Sequence, residues 1–146
     1  MNKVLFAAAL LLIGQATFAQ KSEIFAPKGK AIQGYDVVAF FKDARPTEGA
    51  DSLSYRYKDA EWLFASRANL EAFKAAPEKY EPQYGGYCAY GTSEGHKAPT
   101  EAETWTIVND KLYFNYNMKV KNNWSKKREE FIEKADTQWP LIKDKQ

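Results

Sequence analysis

Leu53-Ser54-Tyr55-Arg56-Tyr57-Lys58-Asp59-Ala60-Glu61-Trp62-Leu63-Phe64 is the stretch on which the fold turns. Leu53, Tyr55 and Tyr57 alternate with Ser54, Arg56 and Lys58, and Trp62 and Phe64 then alternate with Glu61 and Leu63. Alternation with a period of two sends one set of side chains to each face of a strand, so the segment predicts a β-hairpin turning at Asp59-Ala60. A second hairpin is expected further on. Trp105 and Ile107 alternate with Thr104, Thr106 and Val108, and Asn109-Asp110, two residues that tolerate left-handed backbone, precede Leu112, Phe114 and Tyr116.

Around these hairpins the period becomes helical. Ser66 offers an N-cap to a helix from Arg67 to Ala75 that carries Leu70 and Phe73 on one stripe, and Pro77-Glu78-Lys79-Tyr80 fits one further turn with proline at its first position. From Met118 to Asp136, Val120, Trp124, Phe131 and Ala135 share a face at i, i+4, i+11 and i+15, until Trp139-Pro140 ends the helix. The predicted class is therefore α+β: a small antiparallel sheet built from two β-hairpins with two helices packed on it. Upstream, the β-branched and aromatic run from Ala31 to Phe41 reads as a buried strand or a tight turn leading into one. Arg45 to Ser52, with Pro46 and Gly49, reads as a surface loop.

The 146 residues suit one domain, and such a chain buries enough surface to fold without disulfides or a structural metal. A net charge of +2 is too small to argue for nucleic acid or an anionic membrane as a partner. Lys3, the apolar run Val4 to Ile13, and small residues at Ala16 and Ala19 form the pattern of a secretory signal cleaved after Ala19. The apolar run is about half the ~20 residues that a membrane-spanning helix needs. Export to the periplasm or beyond follows from that reading. Gln20 to Lys30 is expected to be an extended lead, residues 31–140 the domain, and 141–146 a short tail.

Gly34-Tyr35-Asp36-Val37-Val38-Ala39-Phe40-Phe41, Trp62-Leu63-Phe64-Ala65-Ser66, Pro77-Glu78-Lys79-Tyr80 and Gly85-Gly86-Tyr87-Cys88-Ala89-Tyr90 resemble the exported YHS domain-containing proteins of bacteria. Trp105 to Val108 and Leu112 to Asn117 are similar to the same group, so the resemblance runs from about Ala31 to Pro140. It implies heavy-metal handling, copper in particular. The wider group's metal-binding cysteines would fall at Ala39, Ala65 and Asn69, none of which is a thiol.

The chemistry left to the chain concentrates in Gln83 to His96, which holds its only cysteine, its only histidine, four glycines and three tyrosines. Three readings of this segment stand side by side. Cys88 and His96 with Met118 form a ligand set that suits copper(I), because that ion favours soft sulfur. Alternatively, Cys88 is a nucleophile or redox thiol, His96 its base, Glu94 or Asp36 the group that orients the imidazole, and glycine-rich backbone N–H groups the oxyanion donors. In the third reading Tyr84, Tyr87 and Tyr90, with Tyr35 and Asp36, line a pocket for an aromatic, lipid or sugar ligand, or serve an envelope interaction module. Separately, Lys119, Lys121, Lys126 and Lys127 crowd the start of the last helix, against the preference of the helix dipole, and offer weak contact with an anionic surface.

Overall fold

The computed structural model describes residues 22–145. The predicted signal segment, residues 1–19, lies outside the described residues. The chain is α+β, with two antiparallel hairpins, each a two-stranded sheet of its own, and helices packed against them.

The first hairpin pairs β1 (Ala50–Tyr57) with β2 (Ala60–Phe64), setting Tyr55 opposite Trp62 and Tyr57 opposite Ala60. Its turn is Lys58-Asp59, one residue earlier than the alternation suggested. Both residues have positive φ, the type I′ geometry whose twist matches that of the flanking strands. α2 (Arg67–Ala75) lies against this hairpin, with Ser66 Oγ accepting from Asn69 N at 3.1 Å as its N-cap. Phe73 of α2 is the hub of the packing. Its ring meets Trp62 at 4.9 Å, Phe64 at 5.2 Å, Tyr57 at 5.6 Å and Tyr55 at 6.2 Å between centroids. One further turn, α3 (Pro77–Tyr80), follows as expected.

The run from Ala31 to Phe41 is not a strand. A 3-10 turn, Ala31–Gly34, leads into the short helix α1 (Val37–Lys42), whose Val37, Val38, Ala39 and Phe40 are all buried. The local β preference yields to a cap, because the Asp36 carboxylate takes the N–H groups of Val38 and Ala39 and starts a helix. The lead expected to be extended is likewise anchored. Ile24 and Phe25 are buried, and Phe25 N donates to Gly85 O at 2.8 Å.

The second hairpin, β3 (Thr106–Val108) with β4 (Lys111–Tyr113), turns at Asn109-Asp110 as expected, both at positive φ. The last helix is in fact two, α5 (Met118–Lys126) and α6 (Arg128–Ile142), separated by Lys127 in a non-helical conformation. The apolar stripe explains the break. The turn after Trp124 falls on Lys127 and Arg128, where no apolar side chain is available to hold a straight helix to the core. Trp139-Pro140 does not end α6 either, because Pro140 sits in its last turn and the helix continues to the buried Ile142. α5 and α6 close a second, smaller core with α4 (Ala89–Ser93), built on Tyr84, Ala89, Tyr113, Trp124 and Ala135. The glycine-tyrosine segment supplies Tyr84 and Ala89 to this second core, with Tyr90 packed against it.

Candidate functional site

Gln83 to Gly86 forms a 3-10 turn in which Tyr84 and Gly85 both have positive φ. Gly85 is obligatory here, because a Cβ on it would fall 1.7 Å from the Glu23 carbonyl oxygen. This close approach brings the N-terminal segment against the turn and creates one wall of a cleft. The cleft encloses about 320 Å³ and is lined by Glu23, Lys58, Glu78, Glu81, Tyr84, Lys111, Asp136 and Trp139, among others.

The rings of Tyr84 and Trp139 meet edge-on at 6.1 Å and form an aromatic corner. Tyr84 Oη donates to Asp136 Oδ1 at 2.8 Å, and burial together with that carboxylate pushes the phenol far above its ordinary value. Its oxygen is therefore committed as a donor to Asp136. Opposite stand the charged groups. Lys58 Nζ lies 3.3 Å from Glu23 and 3.2 Å from Glu81. Burial works against the Lys58 charge, but Glu81 and Glu23 outweigh it and hold that pKa above the usual lysine value. Glu81 is also held up, first by burial and then by Glu23 and Glu78, and Lys58 does not fully offset these effects. Four carboxylates facing two lysines leave the cleft short of positive charge.

The sequence-predicted ligand residues are not gathered at one place. Only Tyr84 reaches the cleft. Tyr87 is buried and its hydroxyl donates to Ser22 O at 2.8 Å, while Tyr90 packs on Phe131 at 5.1 Å. Tyr35 is half-buried against the first core. The residues that sequence reasoning missed are Glu23, Glu81, Asp136 and Trp139, scattered from one end of the chain to the other with no local motif to join them.

Asp36 is wholly buried. Its Oδ1 accepts from Val38 N at 2.9 Å and Ala39 N at 3.2 Å, and its Oδ2 accepts from Ala65 N and from Asn69 Nδ2, each at 2.8 Å. Ala39, Ala65 and Asn69 are the positions at which the family resemblance would place metal thiolates. Here they all donate to one carboxylate, so its acceptor capacity is filled and no thiolate stands nearby. These residues do not fit a soft metal ion.

Cys88 and His96 do line one small apolar pocket, with Tyr90, Gly91, Ala98, Tyr116 and Val120, whereas Met118 is not part of its lining. The buried Cys88 sulfur accepts from Gly91 N at 3.4 Å and Tyr116 N at 3.3 Å, and its S–H donates toward Asn115 Oδ1 at 3.6 Å. Burial pushes the thiol above its ordinary value, against the lowering effect of the backbone N–H groups of Gly91, Tyr116 and Tyr90. His96 is exposed, and among the described residues no hydrogen bond joins it to Cys88. Among the described residues there is also no group of three or more His, Cys, Asp or Glu arranged to hold a metal.

A protonated, buried thiol is a poor nucleophile. Iodoacetamide at pH 7 should alkylate Cys88 in the folded chain at least tenfold more slowly than in the chain unfolded in urea, as followed by mass spectrometry. A rate equal to that of the unfolded chain would contradict this account of the sulfur. Comparison with protein families, with curated proteins and with solved structures finds no match to this chain.

Proposed function

We propose that the chain is an exported, non-catalytic binding module whose ligand is a small organic cation, such as an amine or a short diamine. The carrying observation is the pairing of the Tyr84–Trp139 corner with the carboxylates of Glu23, Glu78, Glu81 and Asp136 in one cleft. Aromatic faces and carboxylates favour the same guest, an ammonium group partly stripped of water. Trp139 already behaves in this way, with Lys97 Nζ 5.6 Å from its ring centroid. The volume, about 320 Å³, lies at the lower end of the range for small-molecule sites. The signal-like N-terminus supports export, and the state of Cys88 and His96 favours binding over catalysis.

Calorimetric titration with putrescine, with tetramethylammonium and with succinate tests the reading. Both cations are expected to bind and the dianion is not. Glu81→Gln should weaken cation binding about tenfold, in line with the loss of one partly buried charge partner. Affinity should also fall as the pH drops through the titration of Glu81, which lies above the usual carboxylate range because of burial and its acidic neighbours, since protonation removes a charge that the guest needs. Succinate binding as tightly as putrescine, or cation binding untouched by Glu81→Gln, would overturn the proposal.

A further inference from the structure

The face formed by Tyr116 and α5 combines two features that the cleft does not use. Among the described residues the exposed large apolar side chains are Tyr116, Met118 and Leu141, and the first two stand together at the start of α5. Beside them, the apolar pocket of about 290 Å³ under Tyr116 and Val120 continues the apolar surface inward. From Tyr116 to Arg128 the sequence holds four lysines and one arginine and no acidic residue.

These lysines are not consumed by neighbouring acids. Glu129 is met by Arg128 at 3.7 Å and Glu130 by Lys134 at 3.1 Å, so the acids that open α6 have partners other than lysines 119, 126 and 127. Lys127 adds only a longer-range field at Glu130. Lys121 is half-buried and donates to Trp105 O at 3.0 Å, which leaves Lys119, Lys126 and Lys127 exposed as the available cations. Lys126 makes one long contact, 3.5 Å, with the neutral Asn123 side chain.

We propose that this face docks on an anionic lipid bilayer. Tyr116 and Met118 enter the headgroup layer, where an amphipathic phenol and a flexible thioether are both accommodated, and Lys119, Lys126 and Lys127 contact the anionic headgroups. The contact is peripheral: among the described residues no helix is long and apolar enough to cross a membrane. Near a charged bilayer each lysine strengthens binding about fivefold, so three of them favour an anionic over a neutral surface by about 100-fold. Added salt should erode the preference.

The test is co-sedimentation of the processed chain, beginning at Gln20, with vesicles of phosphatidylcholine containing about a third phosphatidylglycerol, and with phosphatidylcholine alone. The proposal expects partitioning at least 30-fold stronger onto the anionic vesicles, lost in the triple variant Lys119→Glu, Lys126→Glu, Lys127→Glu and kept in Lys42→Glu, an exposed lysine on α1. Met118→Asp should weaken partitioning about tenfold at fixed lysine content, a readout that a purely ionic contact would not move. Circular dichroism confirms that each variant is folded. Equal partitioning onto neutral vesicles, retention of binding in the triple variant, or binding to heparin with none to either vesicle would each overturn the proposal.

Discussion

Replacing Asp36 by alanine will cost about 4 kcal/mol of stability, the largest loss expected for a single polar residue in this chain. The loss arises at four N–H donors that would lose their partner: those of Val38, Ala39 and the Asn69 side chain are buried, and that of Ala65 is partly buried. Leaving a buried donor unsatisfied costs about 1–3 kcal/mol, and loss of an N-cap alone costs about 1 kcal/mol. Partial collapse around the smaller side chain keeps the total below the simple sum. Domains of this size have about 5–15 kcal/mol in hand, so the variant should fold but with a strongly lowered urea midpoint. Asp36→Asn is nearly as damaging, because an amide presents two N–H groups where only acceptors are wanted. A change below 1 kcal/mol for Asp36→Ala would show that the carboxylate is not the tie between α1, the end of β2 and α2.

The second large effect lies at Gly85. A methyl group there meets the Glu23 carbonyl at 1.7 Å and the Glu23 carbonyl carbon at 2.8 Å, so backbone must move. The positive φ of 61° adds about 1 kcal/mol for any side chain, and overpacking against backbone adds about 1–3 kcal/mol. Gly85→Ala should therefore lower stability by about 3 kcal/mol and displace residues 23–25, whose Phe25 N–H reaches Gly85 O. Glu23 and Ile24 line the cleft, so cation binding should disappear with them. Gly29→Ala is the control. Gly29 also has a positive φ, 80°, but nothing lies within 4 Å of its would-be Cβ, so only the conformational cost of about 1 kcal/mol remains. Urea denaturation of both variants separates steric conflict from backbone preference, and equal losses would contradict the contact with Glu23.

These two positions also mark how far the sequence could be read. The first hairpin was legible because Leu53, Tyr55 and Tyr57 repeat every second residue, and α2 because Ser66 caps a stripe through Leu70 and Phe73. The turn falls on Lys58-Asp59 and not on Asp59-Ala60; lysine carries no signal for left-handed backbone, and Asp-Ala is too weak a turn pair to fix the register. The break at Lys127 was visible in principle, because the apolar repeat skips the turn after Trp124. The α1 helix was hidden for a different reason. Val37, Val38 and Phe40 favour strands locally, and the cap that overrides them is held by Ala65 and Asn69, far along the chain.

The cleft was hidden by the same distance. Tyr84 stands out in the sequence through its neighbouring glycines, but the Asp136 carboxylate that fixes its hydroxyl is 52 residues away, and Trp139 beside Pro140 has the pattern of a helix terminator. Glu23 sat in a segment with no period at all. Cys88 and His96 are the only cysteine and histidine of the sequence, and only three-dimensional placement separates a hydrogen-bonded, buried thiol from a reactive one.

The most direct test of the account is a nitrogen-15 NMR titration of residues 20–146 with putrescine. The account predicts saturable shifts concentrated on Glu23, Glu81, Tyr84, Gly85, Asp136 and the Trp139 indole, absent with succinate and strongly reduced in Glu81→Gln. Saturable shifts that cluster instead around Cys88 and His96, or no shifts at millimolar putrescine, would contradict it.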